Sequence, residues 1–187
     1  MTVKLFAFAA SLRQASWNRK LLNVAAEVAR AAGAAVDVAE FREFDMPLYD
    51  ADLEASQGIP AGAQLLIRRI RAADGLLLAS PEYNNSMPGT LKNAIDWVSR
   101  EKPAALRGKS AMLLSTSSGL VGGNRGLWAL RIPLAMLGVH VQPDMFSLAQ
   151  SDKAFDATGQ LADPVVRERL GKMVQGYVRV ATALAGS

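Results

Sequence analysis

"GLLLASPEYNNSMPGTLKNAIDW", residues 75–97, decides the fold. Residues 75–80 form a short apolar run with no polar face, the pattern of a strand in a sheet buried on both sides. A polar, turn-forming segment follows at once. Pro88 then opens a helix that carries Leu91, Ile95 and Val98 on one face. A buried strand running through a loop into a helix is the repeating unit of a parallel α/β sheet.

The same unit recurs on either side. Residues 3–9 predict a first strand, and Leu21, Ala25, Val28 and Ala32 recur at helical spacing up to Gly33. Residues 35–40 predict strand two. "FREFDMPLYDADLEASQGIP", residues 41–60, reads as a polar, turn-rich connection whose Pro60 opens the next helix. Residues 110–115 predict strand four. Residues 124–137 predict a helix whose course Pro133 should kink or whose boundaries it should shift, and 139–143 a fifth strand. Asp163-Pro164 opens a long terminal helix whose face carries Val166, Leu170, Met173, Tyr177, Ala181 and Leu184. Five strands alternating with five helices predict a parallel sheet with helices on both faces, in the doubly wound order 2-1-3-4-5. No repeat, low-complexity segment or linker interrupts the chain, so residues 1–187 are expected to form a single domain.

Composition narrows the function. Half of the 187 residues are apolar, but no uninterrupted apolar segment approaches a membrane span. The start, "MTVKLFAFAASLR", resembles a secretory signal only briefly, because residues 11–18 run directly into a helix pattern; a first strand and a cytoplasmic protein are expected. There is no cysteine, which excludes disulfides, thiolate metal sites and cysteine nucleophiles. The single histidine, His140, excludes a histidine-rich metal site and reads as structural rather than catalytic. The net charge of +4 comes from scattered basic residues, which supports an anionic small molecule better than a nucleic acid.

In the expected topology a ligand sits beyond the carboxyl ends of strands one, three and four. All three loops there carry chemistry. "FAASLRQASWNRKLL", residues 8–22, sets Ser11, Arg13, Ser16 and Asn18 at the start of a helix, where free N–H groups and the helix dipole attract anions. An ordinary cap needs one such residue, and Ser16 would suffice. Four donors, one of them a guanidinium fork, favour phosphate. Neither GxxxxGK[ST] nor GxGxxG is present, and "GLVGGNRG" at 119–126 has the wrong spacing. A loop of hydroxyls suits a terminal monophosphate, which points to FMN rather than FAD, NAD or ATP.

The second loop, Pro81 to Asn84, can offer backbone groups to the edge of a flat ring and set Tyr83 beside it. A rigid turn with an exposed tyrosine would read the same way. The third, "STSSGLVGGNRG" at 115–126, allows close backbone approach and offers hydroxyls, as a flexible surface loop also would.

With these motifs the sequence resembles the NADPH-dependent FMN reductase family, the flavodoxin-like quinone, azo-dye and chromate reductases. The family pattern GSLRxxSxN corresponds to "ASLRQASWN", and PEYNxSxPGxLKNAIDW to "PEYNNSMPGTLKNAIDW". S-x-S-x-G followed by GG corresponds to "STSSGLVGG". The resemblance spans essentially the whole chain and implies a flavodoxin-like three-layer sandwich. It implies that Ser11, Arg13, Ser16 and Asn18 hold the FMN phosphate. Pro81, Glu82, Tyr83 and Asn84 would line the isoalloxazine, and Ser115, Ser117, Ser118 and Gly119 would close the other side. One position departs: Ala10 stands where the family usually has glycine, and a positive φ there would cost alanine about 1 kcal/mol.

The activity implied is hydride transfer from NADPH or NADH through FMN N5 to quinones or similar small-molecule acceptors, with azo compounds or chromate among them. No catalytic side chain and no metal are expected, since the flavin carries the chemistry. The implied assembly is a homodimer or homotetramer, with no nucleic-acid or membrane partner. The alternatives are a flavodoxin-type electron carrier, a reductase that supplies reduced FMN to a monooxygenase, and a scaffold that binds no flavin.

Overall fold

The computed structural model describes residues 2–186. Its strands are β1 (Lys4–Ala9), β2 (Ala35–Glu40), β3 (Gly75–Ala79), β4 (Ser110–Thr116), β5 (His140–Val141) and β6 (Phe146–Leu148). Its helices are α1 (Trp17–Ala31), α2 (Ala51–Gln57), α3 (Ala61–Ala72), α4 (Gly89–Val98), α5 (Asn124–Met136) and α6 (Pro164–Ala185). The sheet is wholly parallel in the order β2-β1-β3-β4-β5, as the sequence pattern predicts.

Strand alternation builds the layers. Phe6, Phe8, Leu76, Leu78, Ala111 and Leu113 point to one face and pack with Leu66, Ile70, Leu91, Ile95, Leu127 and Leu130 of α3, α4 and α5. The intervening Leu5, Ala7, Leu77, Ala79, Met112 and Leu114 point to the other face, against Leu21, Leu22, Ala25, Leu170, Val174 and Tyr177 of α1 and α6. Every residue of β3 and β4 is buried, which is why those strands carry no polar alternation.

Two elements differ from expectation. The connection at 41–60 contains a 3-10 turn, Phe41–Glu43, and the short helix α2. No residue of α2 is buried, so it leaves no apolar stripe to read; Asp50 starts it by accepting from the N–H groups of Asp52 and Leu53. The expected fifth strand is two short ones. β5 pairs with Ser110 and Ala111, and β6 pairs farther along β4, from Leu114 to Thr116. Pro143 lies in the gap, where it has no N–H for the ladder. Helix α5 contains Pro133 and ends at Met136, within a turn of it.

His140 opens β5 opposite Ser110, at the amino end of β4. That is the sheet edge away from the carboxyl ends of the strands. His140 is exposed there and does not line the cleft described below.

Candidate active site

The carboxyl ends of β1, β3 and β4 lie side by side, with Ala9 opposite Ala79 and Ala79 opposite Leu114. Two further bonds extend the ladder past the strands: Ala10 N–H to Ala79 O at 2.8 Å and Ser80 N–H to Leu114 O at 2.9 Å. The three loops therefore leave the sheet together. They enclose a cleft of about 230 Å³ lined by Ser11, Arg13, Ser16, Trp17, Asn18, Pro81, Glu82, Tyr83, Thr116, Ser117, Ser118 and Ser151. Ala10 is buried and is not among the residues with positive φ, so alanine sits there without backbone strain.

In the first loop, Ser16 is the N-cap of α1, and its Oγ accepts from Arg19 N–H at 3.3 Å. The cap uses an acceptor lone pair and leaves the hydroxyl proton to donate. Ser11 is placed similarly, its Oγ accepting from Arg13 N–H at 3.4 Å. The N–H groups of Trp17 and Asn18, in the first turn of α1, have no partner among the described residues. Nor does the Arg13 guanidinium, which is exposed at the cleft. Unpaired amides, two hydroxyls and a free cation at a helix N-terminus are the donor set that suits an anion.

Asn18 has a different task. Its Nδ2 donates to Thr116 O at 2.9 Å and its Oδ1 accepts from Thr116 N–H at 3.0 Å, both buried. The side chain clamps the start of α1 to the end of β4 and so fixes the distance between the first and third loops.

The second loop is a tight turn. Tyr83 and Ser86 exchange N–H···O bonds of 2.9 and 3.0 Å, and Asn84 and Asn85 lie at φ 51° and 62°. Two consecutive left-handed residues inside a two-residue hairpin define a type I′ turn, for which asparagine is well suited. Asn84 thus serves the backbone and does not line the cleft. Tyr83 is exposed at the rim. Glu82 reaches the third loop, where its Oε2 accepts from Gly126 N–H at 2.9 Å. Gly123, the N-cap of α5, has no side chain to cap with, and the Glu82 carboxylate does so from another loop.

The third loop packs tightly. Ser115 is fully buried and donates to Ser80 O at 2.7 Å, joining the ends of β3 and β4 rather than facing the cleft. Gly123 has φ 83°, and a Cβ there would come within 1.9 Å of Ser115 Oγ. Only glycine fits. Gly119 accepts from Gln150 N–H at 3.3 Å and also lies off the cleft lining, whereas Ser117 and Ser118 line it.

Nine of the twelve residues expected at the site line the cleft; Asn84, Ser115 and Gly119 shape its walls instead. Trp17, Thr116 and Ser151 join the lining without having been foreseen. Trp17 and Thr116 lay inside motifs already marked by their neighbours. Ser151 follows β6 in "LAQSDK", with no local signal. Its hydroxyl is the one buried side-chain polar atom among the described residues that has no hydrogen-bond partner. An orphaned donor in a cleft of hydroxyls and a guanidinium fits a group rich in anionic and polar oxygens, as the phosphate and ribityl chain of FMN are.

A doubly wound parallel sheet with a polar cleft at its switch point belongs to the flavodoxin-like class of folds. Comparison with known proteins narrows it. The sequence profile of the NADPH-dependent FMN reductase family matches residues 3–153. The chain is 38% identical over 175 residues to an NAD(P)H-dependent FMN reductase of Pseudomonas aeruginosa, covering 92% of each chain. It is also 38% identical over 156 residues to the quinone reductase of Escherichia coli K12, covering 82% of this chain and 81% of that one. Among solved structures, the flavoenzyme NAD(P)H:(acceptor) oxidoreductase FerB of Paracoccus denitrificans superposes with a TM-score of 0.84 at 29% identity, over 97% of this chain and 98% of that one. The chain belongs to the NADPH-dependent FMN reductase family. It is an oxidoreductase of the NAD(P)H-dependent FMN and quinone reductase type.

Proposed function

We propose that residues 1–187 work as one FMN-binding domain that oxidises NAD(P)H and reduces quinones or similar small acceptors. The observation that carries this reading is the set of unpaired donors at the start of α1, gathered with the loops after β3 and β4 into one cleft. Arg13, Ser11, Ser16 and the first-turn N–H groups of α1 would hold the phosphate. Pro81, Glu82 and Tyr83 would line the ring, while Ser117 and Ser118 close the cleft from β4.

When bound, FMN supplies the hydride chemistry, accepting from the nicotinamide and returning to the acceptor. The protein's own groups position and bind. Asn18 fixes the spacing of the loops, Glu82 ties the second loop to α5, and the type I′ turn sets Tyr83 at the open rim. An open rim suits a site that nicotinamide and acceptor occupy in turn.

The proposed assembly is a homodimer or homotetramer in the cytoplasm. Trp128, Ile132 and Met136 recur every fourth residue along α5 and are 56%, 73% and 82% exposed. Such a stripe of large apolar side chains is what a second copy would cover. No helix among the described residues is long and apolar enough to cross a membrane.

Steady NAD(P)H consumption by the purified, FMN-loaded protein across an acceptor panel tests the reading. Sustained turnover with a quinone is expected. Flavin binding without turnover would instead indicate an electron carrier.

A further inference from the structure

Ser151 lies outside every motif that marks the flavin site. We infer that its hydroxyl donates a hydrogen bond to the phosphate of bound FMN, which makes the segment after β6 a fourth wall of the site; this rests on the FMN reading above.

The side chain is fully buried, lines the cleft, and keeps its Oγ unpartnered. Buried hydroxyls in folded proteins almost always find a partner, so one without a protein partner, in a residue that lines a polar cleft, points to a ligand atom. The backbone is arranged to put it there. Gln150 adopts φ 51°, a left-handed conformation uncommon outside glycine and asparagine. From that kink, Gln150 N–H bonds to Gly119 O at 3.3 Å and Ser151 N–H to Ser117 O at 3.0 Å. Backbone departures of this kind cluster at ligand sites.

The phosphate end of the cleft is selected by what surrounds the segment. Phe155 stacks on Trp17 with ring centroids 5.6 Å apart and planes at 11°, tying the stretch after Ser151 to the first residue of α1. Asn18 holds Thr116, the residue before Ser117, to the same helix start. Through Phe155 and through Ser117, Ser151 is thereby tied to the helix start that carries the unpaired N–H groups of Trp17 and Asn18, and Ser151, Trp17 and Asn18 line the same cleft.

The test compares the parent protein with Ser151→Ala by titration with FMN and with riboflavin, which lacks the phosphate, and by the ³¹P resonance of bound FMN. FMN binding should weaken about tenfold, the usual scale for a hydrogen bond to a charged group. Riboflavin binding should not change, the ³¹P resonance should move, and the flavin-free variant should melt no lower than the parent. Unchanged FMN affinity and ³¹P resonance in the variant would overturn the inference while leaving the FMN reading intact. Equal loss for both flavins would also overturn it. A parent protein that binds no FMN would overturn both.

Discussion

Arg13 and Asn18 belong to one junction between β1 and α1, yet they act differently. The Arg13 guanidinium has no partner among the described residues, so Arg13→Ala should leave the flavin-free protein's stability within about 0.5 kcal/mol of the parent, as surface changes usually do. The same change should weaken FMN by roughly 1.5–3 kcal/mol in a titration. Asn18 satisfies both backbone groups of Thr116 in a buried setting. Asn18→Ala strands that N–H and that carbonyl and should cost about 2–4 kcal/mol in a denaturant melt without flavin. The sequence shows that polar residues crowd this junction; it does not show which of them face inward. Asn18 meets its partner 98 residues away, and Ser151 reaches the cleft from beyond β6, contacts that no local pattern announces.

Among the elements, β3 and β4 were legible as unbroken apolar runs, and α1 and α6 by the helical period of their buried faces. α2 was not, because caps and one charged cluster hold it. Arg100 Nε lies 2.9 Å from Glu54 Oε2, and the Tyr49 hydroxyl donates to the same oxygen at 2.9 Å. The Arg100 hydrogen bond, followed by that of Tyr49, lowers the Glu54 pKa below its ordinary value. A carboxylate whose folded pKa is depressed adds stability that is fully present above its unfolded pKa and is lost as pH falls through the folded value. Hydrogen exchange corrected for intrinsic rates should therefore show α2 opening in acid before the sheet does. Glu54→Gln should remove that acid dependence. In the loop after β4, Gly123→Ala meets Ser115 Oγ at 1.9 Å and also needs a positive φ. It should cost at least about 2 kcal/mol in thermal unfolding and weaken FMN as well. The glycine pair in that loop was visible in the sequence, but the serine that Gly123 accommodates was read as a cleft residue.

Across the whole molecule, the strand order does the functional work, because it brings three loops distant in sequence to one edge of the sheet. That order followed from the alternation of strands and helices and held in the structure, apart from the division of the fifth strand at Pro143. Assembly was not readable from periodicity, since an exposed apolar stripe on α5 looks like core until the buried side of the helix is known. If that stripe joins copies of the chain, Ile132→Asp should shift the sedimenting species to monomer while the melting behaviour of each subunit changes little. The central claim is that the cleft holds FMN and that this flavin passes reducing equivalents from NAD(P)H to a quinone. Anaerobic mixing of FMN-loaded protein with NADPH or NADH, followed by a quinone, tests it most directly. The flavin's visible absorption should bleach with the nicotinamide and return with the quinone; a protein that takes up no FMN, or whose bound flavin neither nicotinamide bleaches, would contradict the account.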